Sequence, residues 1–194
     1  MQYISKLSAI ASTLAFLGTY FVGSKSVQIL FLILFLISVV ILLVIEIKNR
    51  PKKFKNANEI NVYMHKWISN IGRVVIFTRD MSWVAENPEI IGRLQDKAKN
   101  KELIICMPVA NQIATDLRAI GAQVIEYSNL HYTPQSRFTI VHFGRSDAKI
   151  AIGKTYDEGQ HIIEEYDSNR HPLFYVAQDL IYILTKANES KINL

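Results

Sequence analysis

The sequence predicts a membrane α-hairpin of two transmembrane helices followed by one soluble α/β domain with a mixed sheet. Three observations carry that expectation: a nearly unbroken apolar run at 27–45, an uncharged stretch at 7–22, and short apolar strands alternating with amphipathic helices over 57–194. The run 27–45 has Gln28 and Ser38 as its only polar side chains, and its length is close to the ~20 residues a helix needs to cross hydrocarbon. The stretch 7–22 is shorter and dotted with Ser8, Ser12, Thr13 and Thr19, so it needs its flanks to complete a crossing. Gly23, Ser24, Lys25 and Ser26 form a link too short for anything but an antiparallel pair. Lys6 precedes the first stretch as in a leader, but no small-x-small cleavage site follows, so removal is not expected.

Charge is distributed unevenly. The 194 residues carry a formal net charge of +5, yet 1–56 hold seven Lys/Arg against the single acid Glu46, which leaves about −1 for the rest. Lys48, Arg50, Lys52, Lys53 and Lys55 make a basic collar after the second helix, against Lys25 alone in the turn. The positive-inside rule then places both termini in the cytoplasm, in a multi-pass protein of the inner membrane. The resulting division is a transmembrane hairpin at 1–47, a basic juxtamembrane linker at 48–56 and a cytosolic domain at 57–194. Such a collar is drawn to anionic lipid, whereas a domain that coats nucleic acid non-specifically should itself be basic.

Several chemistries are disfavoured. Cys106 is the only cysteine and lies in the apolar run 103–106, so no disulfide forms within one chain and the thiol reads as a buried structural group. His65, His131, His142, His161 and His171 are scattered without metal-site spacing, and neither a metal nor a cofactor is expected. Neither apolar segment carries an ionisable residue at depth, which argues against an ion pump or carrier. Ser8, Ser12, Ala15 and Thr19 give the first helix a small, hydroxyl-bearing stripe, suited to close packing against its hairpin partner or against other copies in a homo-oligomer.

The soluble part opens with a helix from Asn58 and Glu59, in which Ile60, Tyr63, Met64, Trp67 and Ile68 recur at helical spacing before Asn70 and Gly72 close it. A strand follows at 73–77, then a loop holding Arg79, Asp80 and Trp83. Asn87 and Pro88 are a fitting N-cap and first residue for the next helix. Strands at 102–107 and 123–127 enclose a helix at 111–120 that Gly121 ends. Alternation of this kind implies parallel strands covered on both faces. The pattern then changes to a hairpin, 137–143 and 149–153, turning at Gly144, Arg145, Ser146 and Asp147, with a further strand at 161–166 and a helix at 172–187.

That order, with the run Ser136, Arg137, Phe138, Thr139, Ile140, Val141 after a loop and the echo Lys149, Ile150, Ala151, Ile152, Gly153, resembles one half of the phospholipase D superfamily. The family signature is His-x-Lys, four residues, then Asp, with a Gly-Ser step downstream. On this chain the His position falls on Gln135, the Lys position on Arg137, the Asp position on His142 and the Gly-Ser step on Gly153 and Lys154. Taking His131 as the nucleophile puts Thr133 and Phe138 at the other two positions, which fits no better. An amide supplies neither a nucleophile nor a titrating proton, so the resemblance implies a degenerate, non-catalytic domain.

What such a domain keeps is anion recognition. Arg137, Arg145, Lys149 and Lys154 are the basic candidates, each of which also reads as a solvated hairpin charge. Arg79 lies just beyond the first parallel strand, where open α/β sheets place ligand loops, although with Asp80 and Trp83 it equally reads as a loop brace. The expected ligand-binding set is Arg79, Gln135, Arg137, His142 and Lys154. The whole plan resembles the two-transmembrane effectors of bacterial antiphage systems, driven by cyclic nucleotides or held by retrons. That resemblance implies a signal-gated effector: a nucleotide second messenger, or a complex of reverse transcriptase and nucleic acid, engages the domain and the helices disrupt the membrane. The alternatives are a passive inner-membrane scaffold and a membrane-bound phosphodiesterase that uses another nucleophile.

Overall fold

The computed structural model describes residues 11–13, 18, 24–48, 51–85, 87–128, 134–155, 161–168 and 171–192. The chain divides into two compact units, Met1–Arg50 and Pro51–Leu194.

In the first unit, α1 (Lys25–Lys48) contains the one helix among the described residues that is long and apolar enough to cross a membrane, Lys25–Ile45. No part of its apolar window is buried within the protein, and Leu32, Leu36 and Leu43 are each more than half exposed. A soluble core helix would bury such residues. The expected pair of transmembrane helices is corrected to this single span. In the stretch 7–22, residues 11–13 and Gly18 are helical and the others lie outside the described residues, so neither a hairpin nor a multi-pass topology is shown. The stretch itself supplies the physical reason: roughly 16 residues of helix rise about 24 Å, short of the about 30 Å of hydrocarbon, and its hydroxyls weaken it further. Of the expected packing stripe, Ser12 is helical and exposed, while Ser8, Ala15 and Thr19 lie outside the described residues.

The second unit is a seven-stranded mixed sheet with helices on both faces. Its strands are β1 (Lys52–Phe54), β2 (Val74–Phe77), β3 (Leu103–Met107), β4 (Gln123–Glu126), β5 (Arg137–Val141), β6 (Lys149–Thr155) and β7 (His161–Asp167), arranged β1-β7-β6-β5-β2-β3-β4. Strands β2, β3 and β4 are parallel, and every other pairing is antiparallel. The chain steps outward from β2 to β4, then returns to lay β5 on the other side of β2. That reversal is the switch point at which open α/β sheets leave a crevice beyond their strand ends.

Strand β1 lies inside the segment read as a basic linker. Its register sets Lys52 opposite Ile163 and Phe54 opposite His161. Lys52 pairs with Glu165, its ammonium is 4.9 Å from the Tyr63 ring centroid, and the Tyr63 hydroxyl donates to the same carboxylate at 2.9 Å. Part of the collar is therefore a sheet edge rather than a spacer.

Helices α2 (Ala57–Ile68), α4 (Pro88–Lys99) and α5 (Gln112–Ala119) each start at an asparagine. The Asn56, Asn87 and Asn111 side chains accept from the amides of Glu59, Ile90 and Ala114, satisfying donors the helix cannot. Together with the short α3 (Ser82–Ala85), these helices cover one face of the sheet through Met64, Trp67, Val84, Ile90, Leu94 and Leu117. The other face is covered by α6 (Pro172–Ile192), whose Phe174, Ala177, Ile181 and Leu184 recur at helical spacing against Phe77, Phe138 and Ile140. Between α5 and β4, Gly121 has a φ of +122°, and a Cβ there would lie 2.6 Å from the Ala98 carbonyl oxygen, so only glycine fits. Cys106 is fully buried in β3, and burial pushes its thiol up to about 12, as suits an inert structural group.

Candidate functional site

The switch point places the end of β2, the start of β5, the end of β6 and the start of β7 side by side. Phe77 on β2 pairs with Phe138, Arg137 pairs with Gly153, and Gly153 pairs with Ile163 on β7. Residues alternate across a strand, so Arg137, Gly153 and Ile163 share the face covered by α2 and α3, while Lys154 projects from the opposite face at the same edge.

A cleft of about 770 Å3 opens at this edge, lined by Arg79, Pro134, Gln135, Ser136, Arg137, Ile152, Gly153, Lys154 and His161. Three cations from three separate parts of the chain meet there, and no carboxylate is among its described lining residues. The Arg137 side chain makes no hydrogen bond or ion pair among the described residues, and the residue is half-buried. Desolvating a guanidinium without a counter-charge is costly, and a bound anion would offset that cost with charge-assisted hydrogen bonds.

Arg79 is close enough to Asp80 for its charge to help lower that carboxyl, but no hydrogen bond joins the two among the described residues. The Asp80 carboxylate instead accepts from the Ser82 amide at 3.1 Å and the Ser82 hydroxyl at 2.7 Å, and these bonds hold it below the usual carboxylate range. That turn carries the chain into α3 and leaves the Arg79 guanidinium at the cleft, exposed.

Four of the five expected ligand-binding residues, Arg79, Gln135, Arg137 and Lys154, therefore meet in one place. His142 does not join them. It follows the far end of β5, about 16 Å along the strand from Arg137 at the usual rise per residue. There it adopts φ 55° and sets Nδ1 2.8 Å from an Asp147 carboxylate oxygen. Arg145 also pairs with Asp147, at 2.9 Å, and Lys149 lies 3.7 Å from Asp167. These hairpin charges answer one another.

His161 is the site residue that sequence reasoning passed over. Its ring lies across β6 at Gly153, where a Cβ would come within 2.9 Å of Nε2. Burial lowers its pKa below the usual imidazole value, so it stands neutral at pH 7 beside the cations. The signal available in the sequence was Gly153 itself, a glycine inside a strand, which marks close approach by another group.

Compared with protein-family models, with curated proteins and with solved structures, the chain matches none of them.

Proposed function

We propose that the protein is a membrane-anchored sensor of a phosphate-containing ligand, the sensing part of a signal-gated membrane effector, and that it binds the ligand without hydrolysing it. The observation that carries this reading is the convergence of Arg79, Arg137 and Lys154 on a cleft whose described lining holds no acid. A phosphate presents several acceptor oxygens to such a set, and arginine forks match them in pairs. Binding rather than turnover is supported by Gln135, which has no nucleophilic atom, and by a described lining that holds no carboxyl group to protonate a leaving oxygen. The likeness to one half of a phospholipase D domain belongs to the same proposal, supported by the pairing of Arg137 with Gly153 across β5 and β6.

A route from ligand to membrane is supported by register. His161 lines the cleft and opens β7, Phe54 of β1 lies opposite it, and β1 begins four residues after the last residue of α1. A ligand acts on such a linkage only through a preference for one arrangement of these strands. The basic residues after α1 support a cytoplasmic position for the domain.

Titration of the full chain in lipid nanodiscs with pyrophosphate tests the reading. Saturable binding by the wild type, weakened by Arg137→Ala, is expected, with no hydrolysis of bis(p-nitrophenyl) phosphate. Absence of binding would refute it. One observation favours a second reading, a phosphodiesterase: a neutral imidazole at the cleft can attack phosphorus. Hydrolysis by the wild type that His161→Ala abolishes would establish that activity instead.

A further inference from the structure

We infer that the ligand is an ester of phosphate carrying a ring-sized hydrocarbon group, which enters a separate apolar pocket beside the cleft; this rests on the phosphate-binding reading above. The pocket lies between α2, α3 and the sheet, has a volume of about 160 Å3, and is walled by Ile60, Met64, Ile76, Phe77, Trp83 and Ile163. It shares Arg137, Gly153 and His161 with the cleft. One molecule can therefore place an anion against Arg137 and its apolar part against the wall beyond.

Size and chemistry choose the occupant. A cavity of about 150 Å3 lined by aliphatic and aromatic side chains accommodates benzene. A nucleobase is of comparable size but brings several donors and acceptors that must be matched when buried. The deeper wall has little to match them. The Thr78 hydroxyl already donates to the Asp80 carbonyl and the Thr139 carbonyl already accepts from the Trp67 indole N–H at 3.3 Å, so beyond the shared rim the Thr139 hydroxyl and the Trp83 indole N–H are the side-chain groups left to meet a base edge, and the other lining residues are apolar. An aryl or short alkyl group has no such requirement. The arginine and the imidazole at the junction then hold the ester at its charged end.

The test titrates the full chain in phosphatidylcholine nanodiscs with inorganic phosphate, phenyl phosphate and AMP. Phenyl phosphate is expected to bind at least about tenfold more tightly than inorganic phosphate, the increment that burying one aromatic ring supplies. It should also shift the fluorescence of Trp83, identified by its loss in Trp83→Phe, where inorganic phosphate does not. Ala151→Leu, which pushes three carbons into the pocket from β6, should remove the preference while phosphate binding persists. Should that variant fail to fold, the Trp83 readout on the wild type decides alone. Equal affinity for phosphate and phenyl phosphate, or tighter binding of AMP than of phenyl phosphate, would overturn the inference and leave the phosphate-binding reading intact. Failure of all three to bind would overturn both.

Discussion

The two ends of β5 carry similar residues and have opposite electrostatics. At the far end, Asp147 lies beside both the His142 ring and the Arg145 guanidinium, and Lys149 faces Asp167, so each basic side chain has a carboxylate beside it. At the near end, Arg137, Arg79 and Lys154 surround a cleft with no carboxylate in its described lining. Exposed pairs of the first kind contribute little and serve mainly to shape a turn. Cations gathered at one edge repel one another, and a bound anion relieves that cost. Among the described residues, carboxylates thus stand beside the basic side chains of the turn, and none lines the cleft.

The largest way to disturb the near end is steric. Gly153→Val drives a branched side chain into the space of the His161 ring, and overpacking of this kind should cost roughly 1–3 kcal/mol, read as a lower midpoint of thermal or denaturant unfolding. An unchanged midpoint would mean that the ring moves aside freely. Next comes Arg137→Ala, which should weaken pyrophosphate binding about tenfold or more, the loss expected when one charge-assisted hydrogen bond is removed.

Acidification acts on the same end more gently. Because burial depresses the folded pKa of His161, the unfolded chain binds more protons as pH falls below about 6.5, where a free imidazole titrates. The associated stability is fully present above that value and is lost as pH falls toward the folded pKa. His161→Gln should flatten this part of the stability profile, and a slope identical to the wild type would assign it to other groups. The smallest effect belongs to the far end: Arg145→Ala should leave pyrophosphate affinity within about twofold, since its partner is Asp147. A larger loss would erase the distinction between the two ends.

How much of this was legible in the sequence follows from the range of the signal. Asn87 before Pro88, the apolar run at Leu103 and the recurrence of Ile60, Tyr63, Met64, Trp67 and Ile68 are local patterns, and each led to the right element. Strand β1 was not legible, because three residues with two lysines show no alternation and pair only when β7 is beside them. The stretch 7–22 was overread, its apolar character outweighing its shortness. Gln135, Arg137 and Lys154 were named by aligning a run against a known pattern and Arg79 by its place beyond the first parallel strand, and all four line the same cleft. His142 was misplaced because sequence proximity to Arg137 conceals that a strand carries its two ends apart. His161 stayed hidden because its contact with Gly153 is made across a strand pairing, which no local window contains.

The claim that the near end is an anion site is tested most directly by mapping backbone amide shifts of the isotope-labelled full chain, in nanodiscs, during titration with pyrophosphate. Saturable shifts are expected at Arg79, Gln135, Arg137, Gly153 and His161, with Phe143, Arg145 and Asp147 unmoved. Shifts centred on the 142–149 turn, or none at any residue up to millimolar pyrophosphate, would contradict it.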